Sequence, residues 1–164
     1  MIKPGKGIFI KNTGLLPLTL QDWFDLNKTT VADQNEIRMQ NEILSVRLAT
    51  ERATDEEVHS IKEIHNKFIK AVEDGRVSEL RGLDNQFHGA IASASHNSLL
   101  VMIINLISEM LYEQKTFSFI SNDMGENALH EHGIILECIE KRDADAGVEA
   151  MRSHIKSTYT VFLR

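Results

Sequence analysis

Cysteine, proline and long apolar runs are all scarce in this chain of 164 residues. The single cysteine, Cys138, cannot form a disulfide within the chain, which is typical of a cytoplasmic protein. Only two prolines occur, Pro4 and Pro17, so a helix can form anywhere after Leu18 without a proline break. No run approaches the ~18 apolar residues of a membrane span, and no signal-peptide pattern opens the chain. We therefore expect a cytoplasmic protein that does not enter a membrane.

Positive charge is also in short supply. The 18 Lys and Arg residues are outnumbered by 24 Asp and Glu residues, which gives a formal net charge of −6. Contacts to DNA phosphates need a basic face, so the composition argues against nucleic-acid binding by these residues. The hydrophobic share of 42% and the charged share of 26% are ordinary for one globular domain.

From Leu18 onward, the hydrophobic residues recur at helical spacing in about six or seven segments. We predict helices near residues 18–29, 33–52, 54–75, 77–95, 97–111, 124–141 and 144–163. Thr54-Asp-Glu-Glu57 is a capping box, and Gly75 ends the helix that it opens. Residues 99–111 are apolar nearly all round, which predicts burial in the core or at a subunit interface. The sequence thus predicts an all-α protein, an antiparallel helical bundle.

The first fourteen residues follow a different pattern. Gly5 and Gly7 mark a turn, and Ile8-Phe-Ile10 is a short β-type run. Such a fragment is too small to bury a face by itself. We therefore divide the chain into a β-type N-terminal arm, residues 1–14, and a helical domain, residues 15–164.

One aspartate and several histidines stand at apolar faces of the predicted helices. Asp84 and His88 are four residues apart and share a helix face. His132 lies on the second-last helix and His154 on the last, so an antiparallel hairpin would let them meet. His130 competes with His132, and periodicity slightly favours His132. Burying a carboxylate costs several kcal/mol unless a partner offsets it, and a metal ion held inside the bundle is one such partner.

These residues also allow simpler interpretations than a metal site. A single histidine on an apolar face is more often a hydrogen-bonded core residue than a ligand, and Asp84 with His88 is also consistent with an ordinary hydrogen-bonded couple. We interpret His59, His65 and His96 as surface or structural residues. If a metal is present, imidazole nitrogens with one carboxylate suit zinc, nickel, iron or manganese rather than calcium.

Four stretches resemble one known family, the FCD domain, which is the C-terminal ligand-binding domain of FadR-like, GntR-type transcription regulators. The resemblance runs from about residue 33 to the end and rests on Glu36-Ile-Arg38-Met-Gln-Asn-Glu42, Asp84-Asn-Gln-Phe87-His88, Ala94-Ser-His-Asn97, and the pair Glu131-His132 with Met151-Arg-Ser-His154. It implies an FCD-like fold of about six or seven helices. It also implies a sensor of a small organic or sugar acid, rather than an enzyme, acting in a homodimer.

The resemblance also implies the residues of the site. Its metal ligands correspond to Asp84, His88, His132 and His154, which selects His132 over His130. The implied cofactor is one divalent metal ion, zinc first, with nickel, iron or manganese as alternatives. The implied effector is a small carboxylate metabolite.

Three further residues are candidates for contacting that carboxylate. We predict a charge-assisted contact from Arg38. An ion pair between Arg38 and Glu42 within one helix is an equal alternative. Glu113 and Gln114, at the end of the apolar helix, are weaker candidates.

Gly5-Lys-Gly7-Ile-Phe-Ile10 resembles the wing of a GntR-type winged helix, whose helix-turn-helix part is absent. We therefore expect DNA binding only through that missing domain. One rival function is a metal-dependent hydrolase, although the chain has no His-Glu-x-x-His, Gly-x-Ser-x-Gly or phosphate-loop motif. The other rival is a purely structural dimerisation module.

Overall fold

The computed structural model describes residues 30–121 and 124–162, apart from the side chains of residues 112–114, 117, 121 and 162. Every element in these ranges is an α-helix, and none of the described residues forms a strand. In chain order the helices are α1 (Val31–Arg52), α2 (Asp55–Glu73), α3 (Val77–Ala94), α4 (Ser98–Met110), α5 (Tyr112–Ser121), α6 (Met124–Glu140) and α7 (Ala144–Phe162). The predicted all-α fold is confirmed. The predicted β-type arm and the predicted helix at 18–29 lie outside the described residues.

The ends of several helices follow the capping residues in the sequence. Thr54 and Glu57 form the predicted capping box at the start of α2. The Asn97 side chain accepts from the first amides of α4, and the Asp143 carboxylate accepts from an amide in the first turn of α7. After α2, Gly75 adopts φ +65°, a left-handed conformation that favours glycine.

The helices enclose two apolar clusters, and the larger one, called the apolar cluster below, has a polar group of side chains beside it. α1 packs on α7 and α3, α2 packs on α3 and α6, and three residues join α6 to α7 in a hairpin. The apolar cluster consists of Val46, Ala49, Ala53, Ile61, Phe87, Ile91, Ala94, Ile135, Leu136, Ile139, Val148, Met151 and Ile155. Because these residues come from α1, α2, α3, α6 and α7, the same helices meet around the centre of the bundle.

Helix α5 is absent from the sequence-based prediction, which has no helix between residues 111 and 124. Its inward positions Lys115, Ser118 and Phe119 continue from Leu111 at spacings of four, three and one residue. Two of these inward side chains are polar, so hydrophobic periodicity alone does not reveal the helix. The missed helix places Lys115 in the interior.

Helix α4 is less buried than its composition suggests. It buries Leu100, Ile104 and Ile107, whereas Leu99 and Met102 are about half exposed. The core alternative therefore holds for one face of the helix only, and the subunit-interface alternative stays a prediction. No helix in the described ranges is long and apolar enough to cross a membrane.

Candidate metal centre

Four predicted metal ligands meet inside the bundle. Asp84 and His88 are one turn apart on α3, His132 lies on α6 and His154 lies on α7. All four side chains are buried, and one potential ligand atom from each lies within 4.8 Å of the others. His130, the competing histidine, is exposed. The structure therefore brings together the set Asp84, His88, His132 and His154 and leaves His130 outside it.

The shortest distances within the group join nitrogen and oxygen atoms that point towards one another. His88 Nε2 lies 3.2 Å from His154 Nε2. Asp84 Oδ1 lies 3.5 Å from His132 Nε2 and 3.7 Å from His88 Nε2. These are distances between facing donor atoms, and all three imidazoles present Nε2 to the same small region.

Carboxylates determine which ring nitrogen of two of the histidines is free to bind a metal. His88 Nδ1 is 2.9 Å from Glu42 Oε2, and His154 Nδ1 is 2.8 Å from Glu131 Oε2. A carboxylate only accepts hydrogen bonds, so each Nδ1 carries the hydrogen and the neutral ring keeps its lone pair on Nε2. Two such lone pairs 3.2 Å apart repel each other unless a proton or a metal ion lies between them.

His132 is held differently. Neither of its ring nitrogens has a hydrogen-bond partner among the described residues, although the side chain is fully buried. Its ring stacks on Phe87, with centroids 4.2 Å apart, and meets the edge of Phe68 at 5.2 Å. Buried polar atoms in native proteins nearly always have a partner. A metal ion bound at Nε2 would supply one, so the donor set fits a metal.

The pKa directions agree with neutral imidazoles at two of the three histidine positions. Burial lowers the pKa of His132 to about 3 and also lowers that of His154. Burial acts in the same direction on His88, but the charges of Glu42 and Asp84 outweigh it and raise its pKa. The site thus has two imidazoles that resist protonation and one that attracts a cation, as a proton or as a metal.

The surroundings of the buried carboxylates Glu42 and Asp84 favour their ionised form. Burial would raise the pKa of Glu42, yet the charge of His88 and its hydrogen bond bring that pKa down to about 2. Burial opposes ionisation of Asp84 as well, and the Lys115 ammonium together with His88 holds its pKa well below the usual value. An ionised Asp84 is the form that binds a metal.

Arg38, the predicted carboxylate contact, lies at the edge of the four ligands. Its Nη2 is 3.4 Å from His88 Nε2, and its Nε is 3.5 Å from Glu42 Oε1. Its Nη1 is buried and has no hydrogen-bond partner among the described residues. The predicted pair with Glu42 is therefore present, and one face of the guanidinium still has donors to offer.

The other predicted contact residues, Glu113 and Gln114, belong to α5, but their side chains lie outside the described part of the chain. Their roles stay predictions. Sequence reasoning missed Lys115, which is buried with its Nζ 2.7 Å from Asp84 Oδ2. The available signal was a lysine four residues after Leu111, at an inward position of a helical repeat. Glu131 was noted only as part of a motif, and its contact with His154 needed the structure.

Helical bundles build metal and ligand sites from side chains of facing helices, and the interior group of one carboxylate and three imidazoles has this arrangement. The FCD domain model matches residues 34–157 of this chain. The chain therefore belongs to the FCD domain family, and the resemblance described above is confirmed.

Known proteins similar to this chain include transcriptional regulators of bacteria. The HTH-type transcriptional regulator YdhC of Bacillus subtilis is 24% identical over 88% of this chain and 66% of its own length. The HTH-type transcriptional regulator LutR of the same organism is 26% identical over 98% of this chain and 75% of its own length. The solved structure of Streptococcus agalactiae GntR, 24% identical, has the same fold, with a TM-score of 0.69 over 96% of this chain and 72% of that one. The chain thus spans about two thirds to three quarters of the length of these proteins.

Proposed function

We propose that this domain is the effector-sensing part of a GntR-type regulator of the FadR-like branch. One divalent metal ion, held by Asp84, His88, His132 and His154, would bind a small carboxylate metabolite. Zinc is the first candidate for the ion, with nickel, iron or manganese as alternatives. The observation that carries this proposal is the meeting of His88 Nε2 and His154 Nε2 at 3.2 Å, with both Nδ1 atoms held by carboxylates.

The carboxylates that bind the second ring nitrogen of His88 and of His154 support a metal site over a simple hydrogen-bonded couple of Asp84 and His88. A couple of Asp84 and His88 would leave His132 and His154 without a role, yet all four donor atoms converge within 4.8 Å. Metal-binding histidines usually donate a hydrogen bond from their second ring nitrogen to a carboxylate, as His88 does to Glu42 and His154 does to Glu131. Three imidazoles and one carboxylate suit zinc or a neighbouring transition metal.

Open coordination positions on the metal and the unpartnered Nη1 of Arg38 support a carboxylate as the effector. Four protein ligands leave one or two positions on a five- or six-coordinate ion. The unpartnered Nη1 of Arg38 is buried beside His88, where a charge-assisted bond to a carboxylate would satisfy it. A small hydroxy acid or sugar acid offers a carboxylate for Arg38 and a second oxygen for the metal.

The regulatory role extends the proposal to the whole protein. The relatives are named as HTH-type transcriptional regulators, and the chain matches a part of each. We infer that a DNA-binding winged-helix domain, of which residues 1–14 would be the wing, acts in a cytoplasmic homodimer. Bound metal and acid would brace α6 against α7 and α3 and so change the spacing of the two DNA-binding domains. An effector shifts such an equilibrium only if it binds the two arrangements with different affinity.

The proposal makes the domain a sensor and not an enzyme. All relatives named above are regulators, which supports a sensor. No contact among the described residues favours the hydrolase, and the four converging donors argue against an empty structural module.

The first experiment compares two histidines two residues apart. Protein purified without a nickel resin is loaded with zinc, dialysed, and analysed for bound metal by mass spectrometry. We expect about one zinc per chain in the parent protein and in His130→Ala, because His130 is exposed. We expect none in His132→Ala, because its ring is one of the four donors. A parent protein that retains no metal after loading with zinc, nickel, iron or manganese would refute the metal site.

The second experiment addresses the effector. Melting temperatures are measured against a library of organic acids, with and without a chelator. We expect one chemical group of hydroxy or sugar acids to raise the melting temperature of the metal-loaded protein. The chelator and Arg38→Met should each abolish that rise. A rise that survives both changes would place the acid somewhere other than beside the metal.

A further inference from the structure

Lys115 is a fully buried lysine without an assigned role. Its side chain is 1% exposed, and its Nζ donates to Asp84 Oδ2 at 2.7 Å and to Asn85 Oδ1 at 2.8 Å. Lysines are almost never fully buried unless they are paired. The pairing leaves Asp84 with two distinct oxygens, because Oδ2 faces Lys115 while Oδ1 faces His88 and His132.

With the His88 ring neutral, the form that can bind a metal, the buried charges around the centre balance without a metal ion. Among the described side chains that are nearly inaccessible, Lys115 pairs with Asp84, and Arg38 pairs with Glu42. A divalent cation bound at Asp84 Oδ1 would add two positive charges to this balanced set. Uncompensated charge is expensive in a buried site, so the loaded centre would need an anion.

We propose that Lys115 is a counter-ion that couples metal binding to anion binding. Before the metal binds, Lys115 neutralises the charge of Asp84. Once a cation takes up that charge, the buried ammonium loses its compensation, and a carboxylate bound beside the metal restores it. This inference rests on the proposed function, because it concerns the same site.

The coupling has a definite sign. The ammonium repels a cation bound at the other oxygen of the same carboxylate, and that repulsion is strong in a site with little water. Removing the charge of Lys115 should therefore tighten metal binding when no anion is present. An ordinary outer partner that only orients a ligand has the opposite effect, because its loss usually weakens metal binding by about 10–100-fold.

The experiment measures zinc affinity by competition with a chromophoric chelator, in buffers with increasing acetate. Sodium chloride keeps the ionic strength constant, and acetate serves as the simplest carboxylate. Four variants are compared with the parent protein. Lys115→Met removes both charge and hydrogen bond, Lys115→Gln keeps a donor for Asp84, and Lys115→Arg keeps the charge. Lys62→Met is the matched control, because Lys62 pairs with Glu140 at the surface.

We expect acetate to tighten zinc binding to the parent protein, to Lys115→Arg and to Lys62→Met by at least about fivefold, the lower end of typical coupling between sites. Without acetate, Lys115→Met and Lys115→Gln should bind zinc about tenfold more tightly than the parent protein, because the repulsion between the ammonium and the cation is gone. Acetate should tighten zinc binding to these two variants clearly less than to the parent protein, since the part of the coupling that the charge of Lys115 supplies is gone.

Two results would overturn the proposal. One is weaker zinc binding in both neutral variants, which would make Lys115 a positioning residue only. The other is an undiminished acetate effect in both, which would assign the coupling to Arg38. Lys115→Gln decides the outcome if Lys115→Met does not fold. If the parent protein binds zinc in these assays, failure concerns Lys115 alone, whereas a parent protein that binds no metal removes the proposed function as well.

Discussion

The apolar cluster and the polar centre lie side by side in the same bundle but depend on the solution in different ways. The apolar cluster, defined above around Ile61, Ile91 and Ile155, consists of hydrocarbon packed against hydrocarbon. The polar centre comprises Arg38, Glu42, Asp84, His88, Lys115, His132 and His154, all of them almost fully buried. Burial of apolar surface stabilises the fold whether or not a metal ion is bound. In the polar centre the Nε2 atoms of His88 and His154 face each other, and nitrogens of Arg38 and His132 have no hydrogen-bond partner, so its contribution depends on what binds there.

The comparison is sharpest at two consecutive residues of α7. Ile155 belongs to the apolar cluster and His154 to the polar centre, and both are almost completely buried. Substitutions at these neighbours should therefore separate stability that needs no metal from stability that does.

The largest expected effect is that of Ile155→Ala. Deleting this buried side chain leaves a cavity in the cluster and should lower the free energy of unfolding by about 2–5 kcal/mol. Chemical denaturation, with and without a chelator, measures the change. The loss should be the same in both conditions, and a loss that appears only with metal present would contradict the separation of the two regions.

His154→Ala should have the next largest effect, visible only in the loaded protein. Binding to the folded state at about a hundred times the dissociation constant adds about 2.7 kcal/mol to stability. The variant should forfeit this gain, so that its free energy of unfolding is the same with and without zinc. Equal zinc-dependent shifts in the melting temperature of variant and parent would show that His154 is not a ligand.

Glu131→Gln should weaken the metal site without removing a ligand. Glu131 is partly exposed and accepts from His154 Nδ1, which keeps the lone pair on Nε2. Loss of such a partner costs about 10–100-fold in metal affinity, and the amide oxygen can still accept, so we expect about tenfold. Glu149→Gln is the control, because Glu149 pairs with Arg152 on the outer surface of α7. Zinc titration that finds no difference between the two variants would argue against a role for Glu131 in positioning His154.

Thr54→Ala should give the smallest change and no effect on metal binding. The Thr54 hydroxyl accepts from the Glu57 amide at the start of α2, at a solvent-exposed helix end. Loss of such a cap lowers the free energy of unfolding by about 1 kcal/mol. Thermal unfolding should show this decrease with and without zinc, and an altered zinc affinity would mean that α2 transmits strain to the centre.

Much of the fold could be predicted because its signals are local. The capping box at Thr54, the left-handed Gly75 and the cap at Asn97 each act within a few residues, and the structure has all three. Helix α5 was not predicted because its inward side chains include Lys115 and Ser118, and a search for apolar residues at helical spacing does not detect buried polar positions. The prediction that α4 is buried on several sides holds for one face within the chain, and burial of its other face at a subunit interface stays a prediction.

In the candidate site, too, local relations could be predicted from the sequence and long-range contacts could not. Asp84 and His88 were predictable as neighbours because a helix brings residues four apart onto one face. From the residues alone, His132 and His130 were hard to separate, and the resemblance to the FCD family selected His132. The contacts Glu42–His88, Glu131–His154 and Lys115–Asp84 span 46, 23 and 31 residues of sequence. No spacing rule reaches across such separations.

By itself, the sequence determined where most of the described helices begin and end and which side chains have the chemistry to bind a metal, because hydrogen bonds and periodicity within a helix are short-range. Only the packing of α1, α3, α5, α6 and α7 decided that three imidazoles present the same nitrogen to one point, and that Lys115 compensates Asp84. Distances between helices depend on how all their side chains fit together, which is a property of the folded chain as a whole.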